Sequence, residues 1–369
     1  MGKVFLGDVA KERRETCKGD KNGYPIVGLE HLTPEEITLS AWDEDKDNTF
    51  TKLFYEGDIL FGRRRAYLKK AAVAPFNGIC SGDITVIEAI PEKILPELLP
   101  FVIQNDVLFD FAVGKSAGSL SPRVKWEHLR NYQFELPDLD KQRELAKVLW
   151  AMDATKRSYQ KLLLKTDELV KSQFIEMFED DKCDKKCLEE LSIEWLKGQP
   201  FKKDEISDGG SNRCIHYGEL FTKYGPVIKD VLSKTDADVK RASKKGDILF
   251  PASDVTPNGL ARCSALMQEG IILGGDIIVM RPLQENNSVY LSYAINYQKM
   301  QLLSRVTGAV VKHISAKSLK SVIVPLPSRE LQNKFVVLTE QSDKSKFELE
   351  QALMELNATY KKIISENLG

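Results

Sequence analysis

Two stretches of the chain carry a helical pattern of apolar and polar positions. Residues 140–178 and 328–368 are polar-rich and contain neither proline nor glycine. In the first, a stripe runs through Leu145, Val148, Met152, Thr155, Tyr159, Leu162, Thr166 and Leu169. In the second it runs through Phe335, Leu338, Ser342, Ser345, Leu349, Ala352, Leu356, Thr359 and Ile363. Alternating steps of three and four predict long helices with a coiled-coil seam, weakened where Thr and Ser interrupt it. Subtracting 190 brings the two seams into phase, as in 335 and 145. A helix of about 35 residues spans roughly 50 Å, and neither helix could bury its stripe alone. Antiparallel packing of the two is the expected solution, with a globular head at each end. Leu149, Leu163, Val170, Phe174 and Phe347 lie off the seam, as partner contacts or as a broader helix–helix core.

The rest of the chain reads as short strands and turns. Residues 53–61, 82–87, 271–280 and 320–324 have strand character, and Gly-Asp pairs punctuate the apolar runs. Residues 98–111 and 289–303 read as short helical stretches. The fold class is α+β, because strands and helices do not alternate regularly.

These segments are written twice. The run GDIL occupies 57–60 and again 246–249, an offset of 189. Ser81-Gly82-Asp83-Ile84 is matched by Gly274-Gly275-Asp276-Ile277, at 193. Gly118 precedes a segment ending in Leu136-Pro137, and Gly308 one ending in Leu326-Pro327, at 190; Gln142 and Gln332 keep that offset. A single GDIL is common, but the ordered series marks an internal duplication. Residues 4–9 share little with 188–191.

Length and composition then bound the class. With 369 residues, 42% apolar and 29% charged, the chain has room for two or three soluble domains. No apolar run suggests a membrane span or a signal peptide. The six cysteines, Cys17, Cys80, Cys183, Cys187, Cys214 and Cys263, are scattered, and a reducing cytoplasm is expected. A net charge of -1 excludes a generally basic coat but not local basic patches. Residues 1–137 hold 18 basic and 21 acidic groups (-3), whereas 182–327 hold 21 and 16 (+5). The second head should therefore be drawn more strongly to phosphate.

No catalytic constellation emerges: there is no GxxxxGK[ST] loop, no HExxH helix and no cysteine–histidine metal set. Cys183 and Cys187 lack a second ligand pair, so no metal site is expected. The basic chemistry is local. Arg63, Arg64 and Arg65 follow the first GDIL strand, with Tyr67 and Lys69 close behind; in a turn such groups reach phosphates or guanine edges. The matching place in the second copy offers Ser253, Asn258 and Arg262. A glycine loop offers Lys115, Ser119, Arg123 and Lys125, and its counterpart Arg305, Thr307 and Lys312. Glycines let the backbone approach a phosphate chain. A rod with two similar but diverged heads would suit two separated half-sites on duplex DNA.

The repeated GDIL segments, and the order of glycine loop, Leu-Pro and glutamine-bearing helix at 118–142 and 308–332, resemble the specificity subunit of type I restriction-modification enzymes. The resemblance covers essentially the whole chain. It implies two target recognition domains, 1–138 and 180–327, and two antiparallel spacer helices, 139–179 and 328–369. It also implies a non-catalytic subunit that reads an asymmetric bipartite double-stranded DNA target, with the gap set by the helices. The implied partners are two modification subunits, which bind S-adenosylmethionine and methylate adenine, and restriction subunits that use ATP and magnesium. No cofactor is expected in this chain itself. An assembly or antirestriction protein that binds modification subunits without reading DNA is the alternative.

Overall fold

In the computed structural model each proline-free stretch is one unbroken helix, Leu139–Phe178 and Arg329–Leu368. The structure describes all residues except 1, 20, 22, 45, 46, 179–182 and 208. The expected boundary between 179 and 180 lies outside the described residues. Both helices begin in the same way. Pro137 and Pro327 end the preceding strand, since proline cannot donate to a ladder. Asp138 and Ser328 then cap the first turn, accepting from the N–H groups of Lys141 (3.0 Å) and Leu331 (3.4 Å).

One turn further on sits the repeated glutamine, 2% exposed in both copies. Gln142 donates from Nε2 to the Pro137 carbonyl (2.8 Å) and accepts from the Leu95 N–H (2.8 Å). Gln332 donates to the Pro327 carbonyl (3.0 Å) and accepts from the Asn287 N–H (2.9 Å). Each amide thus ties its helix to the strand it leaves and to a loop of the same unit.

The chain divides into two compact units, Met1–Leu162 with Glu348–Gly369, and Leu163–Phe347. In the first, a four-stranded antiparallel sheet runs in the order Ala10–Glu12, Ile84–Ala89, Ile59–Gly62, Ala71–Val73. In the second, the order is Ser192–Lys197, Ile277–Pro282, Asp247–Pro251, Ser264–Leu266, Val227–Ile228, with the last pair parallel. The strand after each Gly-Asp is buried on both faces, which explains its unbroken apolar run. Ile59 and Phe61 join one core and Leu60 another; Ile248 and Phe250 join one core and Leu249 another.

The Gly-Asp turn has a clear cause. Gly57 and Gly246 have φ of +87° and +91°, a region that a side chain disfavours. The following aspartates are 3% and 1% exposed, and each receives a two-pronged arginine. Arg13 reaches Asp58 at 2.7 and 3.1 Å, and Arg281 reaches Asp247 at 2.9 and 3.0 Å. The arginines come from different strand positions. Arg13 follows Ala10–Glu12 and also pairs with Glu88 (3.1 Å) on the neighbouring strand. In the second unit Arg281 stands on the inner strand, and Glu194 pairs with it from the edge strand (2.7 Å). The charges have exchanged strands while the clasp on the buried aspartate is kept. Removing either arginine would strand a buried carboxylate, at about 3–5 kcal/mol.

The structure also reveals the weakly marked start of the repeat. Gly2–Phe5 pairs with Gln133–Leu136, and Asp184–Cys187 with Ile323–Leu326. Gly2 therefore corresponds to Asp184, an offset of 182, while Leu136 and Leu326 keep 190. Leu6 and Val9 then match Leu188 and Leu191, all buried. The strand expected at 320–324 begins later, because Ala316–Leu319 forms a short helix before it.

Within each unit the start of one long helix packs with the end of the other. Leu145, Ala146 and Leu149 share a core with Ile364 and Leu368 in the first unit. Phe335 and Val336 share one with Phe174 and Phe178 in the second, where the Phe174 and Phe335 rings lie 5.4 Å apart. These sets exchange under the 190 offset, and their pairing is antiparallel.

The buried stripe differs from the expected seam in places. Val148, Leu162 and Leu169 are exposed, and the neighbouring Leu149 and Val170 are buried instead, with Leu163 half-buried. Leu145 and Phe335 are buried, and Met152, Tyr159, Leu338, Leu349, Ala352, Leu356 and Ile363 are partly buried. Ser345, Thr359 and the off-seam Phe347 are exposed. The reason is geometric. A straight helix drifts from a seven-residue repeat, and the helix ends pack against their unit's other elements as well as each other.

Gln142→Ala should destabilise the first unit by about 3 kcal/mol, because a buried N–H and a carbonyl lose their partner. The expected outcome is a thermal transition lowered by roughly 6–10 °C, read by calorimetry. A shift within error of the unmodified chain would refute the tie.

Candidate nucleic-acid interface

The candidate residues come from two segments of each unit, and the structure joins them. In the first unit, residues 63–65 lie along 122–124: the Val124 N–H donates to the Arg63 carbonyl (3.0 Å) and the Arg65 N–H to the Pro122 carbonyl (2.8 Å). Ala117 and Arg123 exchange two backbone hydrogen bonds, 3.0 and 2.9 Å, and close the glycine loop between them. In the second unit, Ser253–Asp254 pairs with Lys312–His313. Thr307 and His313 exchange bonds of 2.9 and 2.8 Å and close the matching loop. Gly118 and Gly308 take φ of +117° and +101°. A Cβ on Gly308 would fall 2.2 Å from the Val311 carbonyl, so that loop requires glycine.

A repeated aspartate holds side chains of both segments in the first unit and of the first segment in the second. Asp83 accepts from Arg123 Nε and Nη2 (2.7 and 3.3 Å) and from Arg64 Nη1 (3.5 Å). The Arg123 hydrogen bonds hold the Asp83 carboxyl below its ordinary range, although partial burial opposes this. Asp276 accepts from the Ser253 hydroxyl (3.2 Å). In the sequence these aspartates stand out only as part of a repeat, because the groups they hold lie far away in the chain.

The three adjacent arginines separate. Arg63 is half-buried, and its Nε is enclosed without a hydrogen-bond partner among the described residues. Arg64 donates to the Ser121 hydroxyl (3.0 Å). Arg65 is exposed, with a left-handed φ of +55°. Tyr67 is exposed, while Lys69 turns to Asp106 at 2.6 Å. Lys115, Ser119 and Lys125 are exposed around the first loop, and Lys115 sits 5.8 Å from the centre of the Phe111 ring. Asn258 and Thr307 are both exposed in the second unit.

Two cations expected at the surface serve the backbone instead. Arg262 is half-buried and donates to the Tyr224 carbonyl (2.8 Å), and burial lowers its pKa. Arg305 donates to the carbonyls of Gln301, Ser318 and Ser321 at 2.6, 3.0 and 2.9 Å. Their long side chains reach main-chain acceptors, a placement the linear sequence does not encode. Lys312 bonds the Gly308 and Ala309 carbonyls (2.7 and 2.9 Å), holding its own loop from within.

Cys183 and Cys187 each meet a local acceptor. The Cys183 thiol donates to the Phe178 carbonyl (3.4 Å) and the Cys187 thiol to Glu190 (3.2 Å). No helix among the described residues is long and apolar enough to cross a membrane.

The Asp83 anchor has a pH signature. Its folded pKa lies below the unfolded value of about 3.9, so its contribution is complete above that value and is lost as pH falls through the folded pKa. Asp83→Asn should lower hydrogen-exchange protection at the Ala117 and Arg123 amides at neutral pH. In the unmodified chain the same loss should come only at pH below the ordinary carboxylate range. Equal protection in both proteins at neutral pH would exclude the anchor.

Comparison with known proteins follows the same division. The profile of the type I restriction modification DNA specificity domain matches residues 1–164 and again 181–357. The putative type I restriction enzyme MjaX specificity subunit of Methanocaldococcus jannaschii is 22% identical over 347 residues, covering 85% of this chain and 79% of the relative. The S subunit of a type I restriction-modification system from M. genitalium has the same fold, with a TM-score of 0.61 at 13% identity, over 100% of this chain and 96% of that one. A chain from work on complex assembly and conformational transition of the type I R-M system also gives 0.61, at 19% identity, over 99% and 97%. Two copies of the domain, joined through a pair of long helices, make this chain a member of the type I restriction-modification specificity subunit family.

Proposed function

We propose that the chain is the DNA-reading subunit of a type I restriction-modification complex, with each recognition domain, 1–138 and 180–327, addressing one half of a bipartite asymmetric duplex target. One observation carries this reading: the same pairing of two loop segments occurs in both units with different side chains. The first presents Arg65, Lys115 and Lys125, and the second Asn258 and Thr307, with the Lys312 ammonium turned onto its own loop. A shared frame with diverged tips suits two half-sites of different sequence.

The chain contributes positioning rather than chemistry. Modification subunits supply the S-adenosylmethionine-dependent methyl transfer to adenine. Restriction subunits supply ATP- and magnesium-dependent translocation and cleavage. The helices 139–179 and 328–369 set the gap between half-sites and recruit the modification subunits, with exposed Val148, Leu162, Leu169 and Phe347 as candidate contacts. Partner subunits supply much of the grip on DNA, because the chain's net charge is only -1.

Mapping methylated adenines in DNA from cells carrying this chain with its partners tests the reading. One discrete bipartite motif is expected; methylation without a motif would reject it. Inserting one heptad into each long helix should lengthen the gap in that motif, and an unchanged gap would remove the ruler role. In the reconstituted complex, replacing Arg65, Lys115 and Lys125 by Ala should weaken binding. It should also reduce the salt slope by about two to three, near 0.9 for each phosphate no longer neutralised. An unchanged slope across several salt concentrations would show that these cations do not face phosphates.

A further inference from the structure

The two closed loops end in apolar residues that none of the described residues covers. Leu120 is 90% exposed and Val310 is 83% exposed. A lone exposed apolar side chain is ordinary. These two stand at the same place in the repeat, 190 residues apart, although the residues around them differ: Ser119 and Ser121 in one loop, Ala309 and Val311 in the other. Each loop is closed at its neck by two backbone hydrogen bonds and turns through a glycine of positive φ. The tip is therefore presented on a short, closed support, and little ordering cost remains when it binds. Around the first neck stand Arg65, Lys115 and Lys125, all exposed. At the second, the Lys312 ammonium lies within the loop.

An apolar tip above a cationic base matches a duplex, where stacked apolar base faces lie between lines of phosphate. We propose that Leu120 and Val310 are wedges, each inserting at one base step of its half-site and partly unstacking it. The wedge eases deformation at that step. It makes flexible pyrimidine–purine steps the preferred ones at positions where no hydrogen bond is read. This rests on the DNA-reading function proposed above.

The experiment uses the full chain assembled with its modification subunits. The probe is a duplex bearing the mapped target, with 2-aminopurine placed at successive steps. The unmodified complex should raise 2-aminopurine fluorescence at one step in each half-site. Leu120→Ser should abolish the rise in one half-site and Val310→Ser in the other, each weakening binding roughly tenfold without moving the melting temperature. Leu120→Met should restore the signal, since it returns an apolar tip of similar length. Retention of both signals in the serine variants would overturn the proposal. So would loss of binding on replacing thymine by uracil with no 2-aminopurine response, which would make the tips methyl readers in an intact stack. Weaker capture of modification subunits with DNA binding unchanged would also overturn it, and would make the tips protein contacts. Absence of any protected bipartite site with the unmodified chain would reject the DNA reading itself, and the wedge with it.

Discussion

The junction between strand and helix fixes what each unit can present. A glutamine amide is buried one turn into each long helix, where its donor and acceptor both meet main-chain groups. An amide buried without partners would cost several kcal/mol, so this geometry is kept only if proline, cap and loop all stay in place. The helix then leaves its unit in a set direction, and the far end of the other helix completes the core beside it. At that far end the Asn105 side chain donates to the Leu368 carbonyl (3.2 Å), closing the last turn of the second helix. Each unit is thus completed by residues far apart in the chain, such as Leu145 and Leu368.

Much of this was legible in the sequence because it rests on local rules. Both helices are announced by the absence of proline and glycine, by the prolines before them and by a three-and-four rhythm. The Gly-Asp turns announce themselves because only glycine adopts their backbone without strain. What the sequence hid depends on partners across strands. Nothing near Asp58 or Asp247 says that one arginine arrives from residue 13 and the other from residue 281. Because the paired glutamates have exchanged strands with the arginines, aligning the two copies residue by residue sets unlike charges against each other.

The same limit explains the interface. Residue type alone placed Arg262 and Arg305 among cations available to a ligand, yet both are drawn to backbone carbonyls by the fold around them. Arg64 and Arg123 converge on Asp83, and their charge is partly neutralised there. The exposed charge of the first unit's loops lies with Arg65, Lys115 and Lys125, fewer groups than the basic run suggests. The formal section charges, -3 and +5, therefore overstate how much the units differ at the loops themselves, since part of the second unit's surplus is engaged in holding its own backbone.

A duplicated frame can diverge in this way because the frame and the exposed tips use different atoms. The loops are joined and closed chiefly by backbone hydrogen bonds, and one aspartate in each unit accepts from a side chain of the first segment. Backbone bonds tolerate almost any side chain at the exposed positions between them. Substitution at 119–121 or 309–311 can therefore alter what a unit contacts without disturbing the sheet, the Gly-Asp clasp or the glutamine tie. Loop positions on a fixed scaffold are where binding specificity can change at the lowest cost in stability. The physical separation of a shared support from a variable tip is what allows one chain to carry two different sets of exposed loop residues.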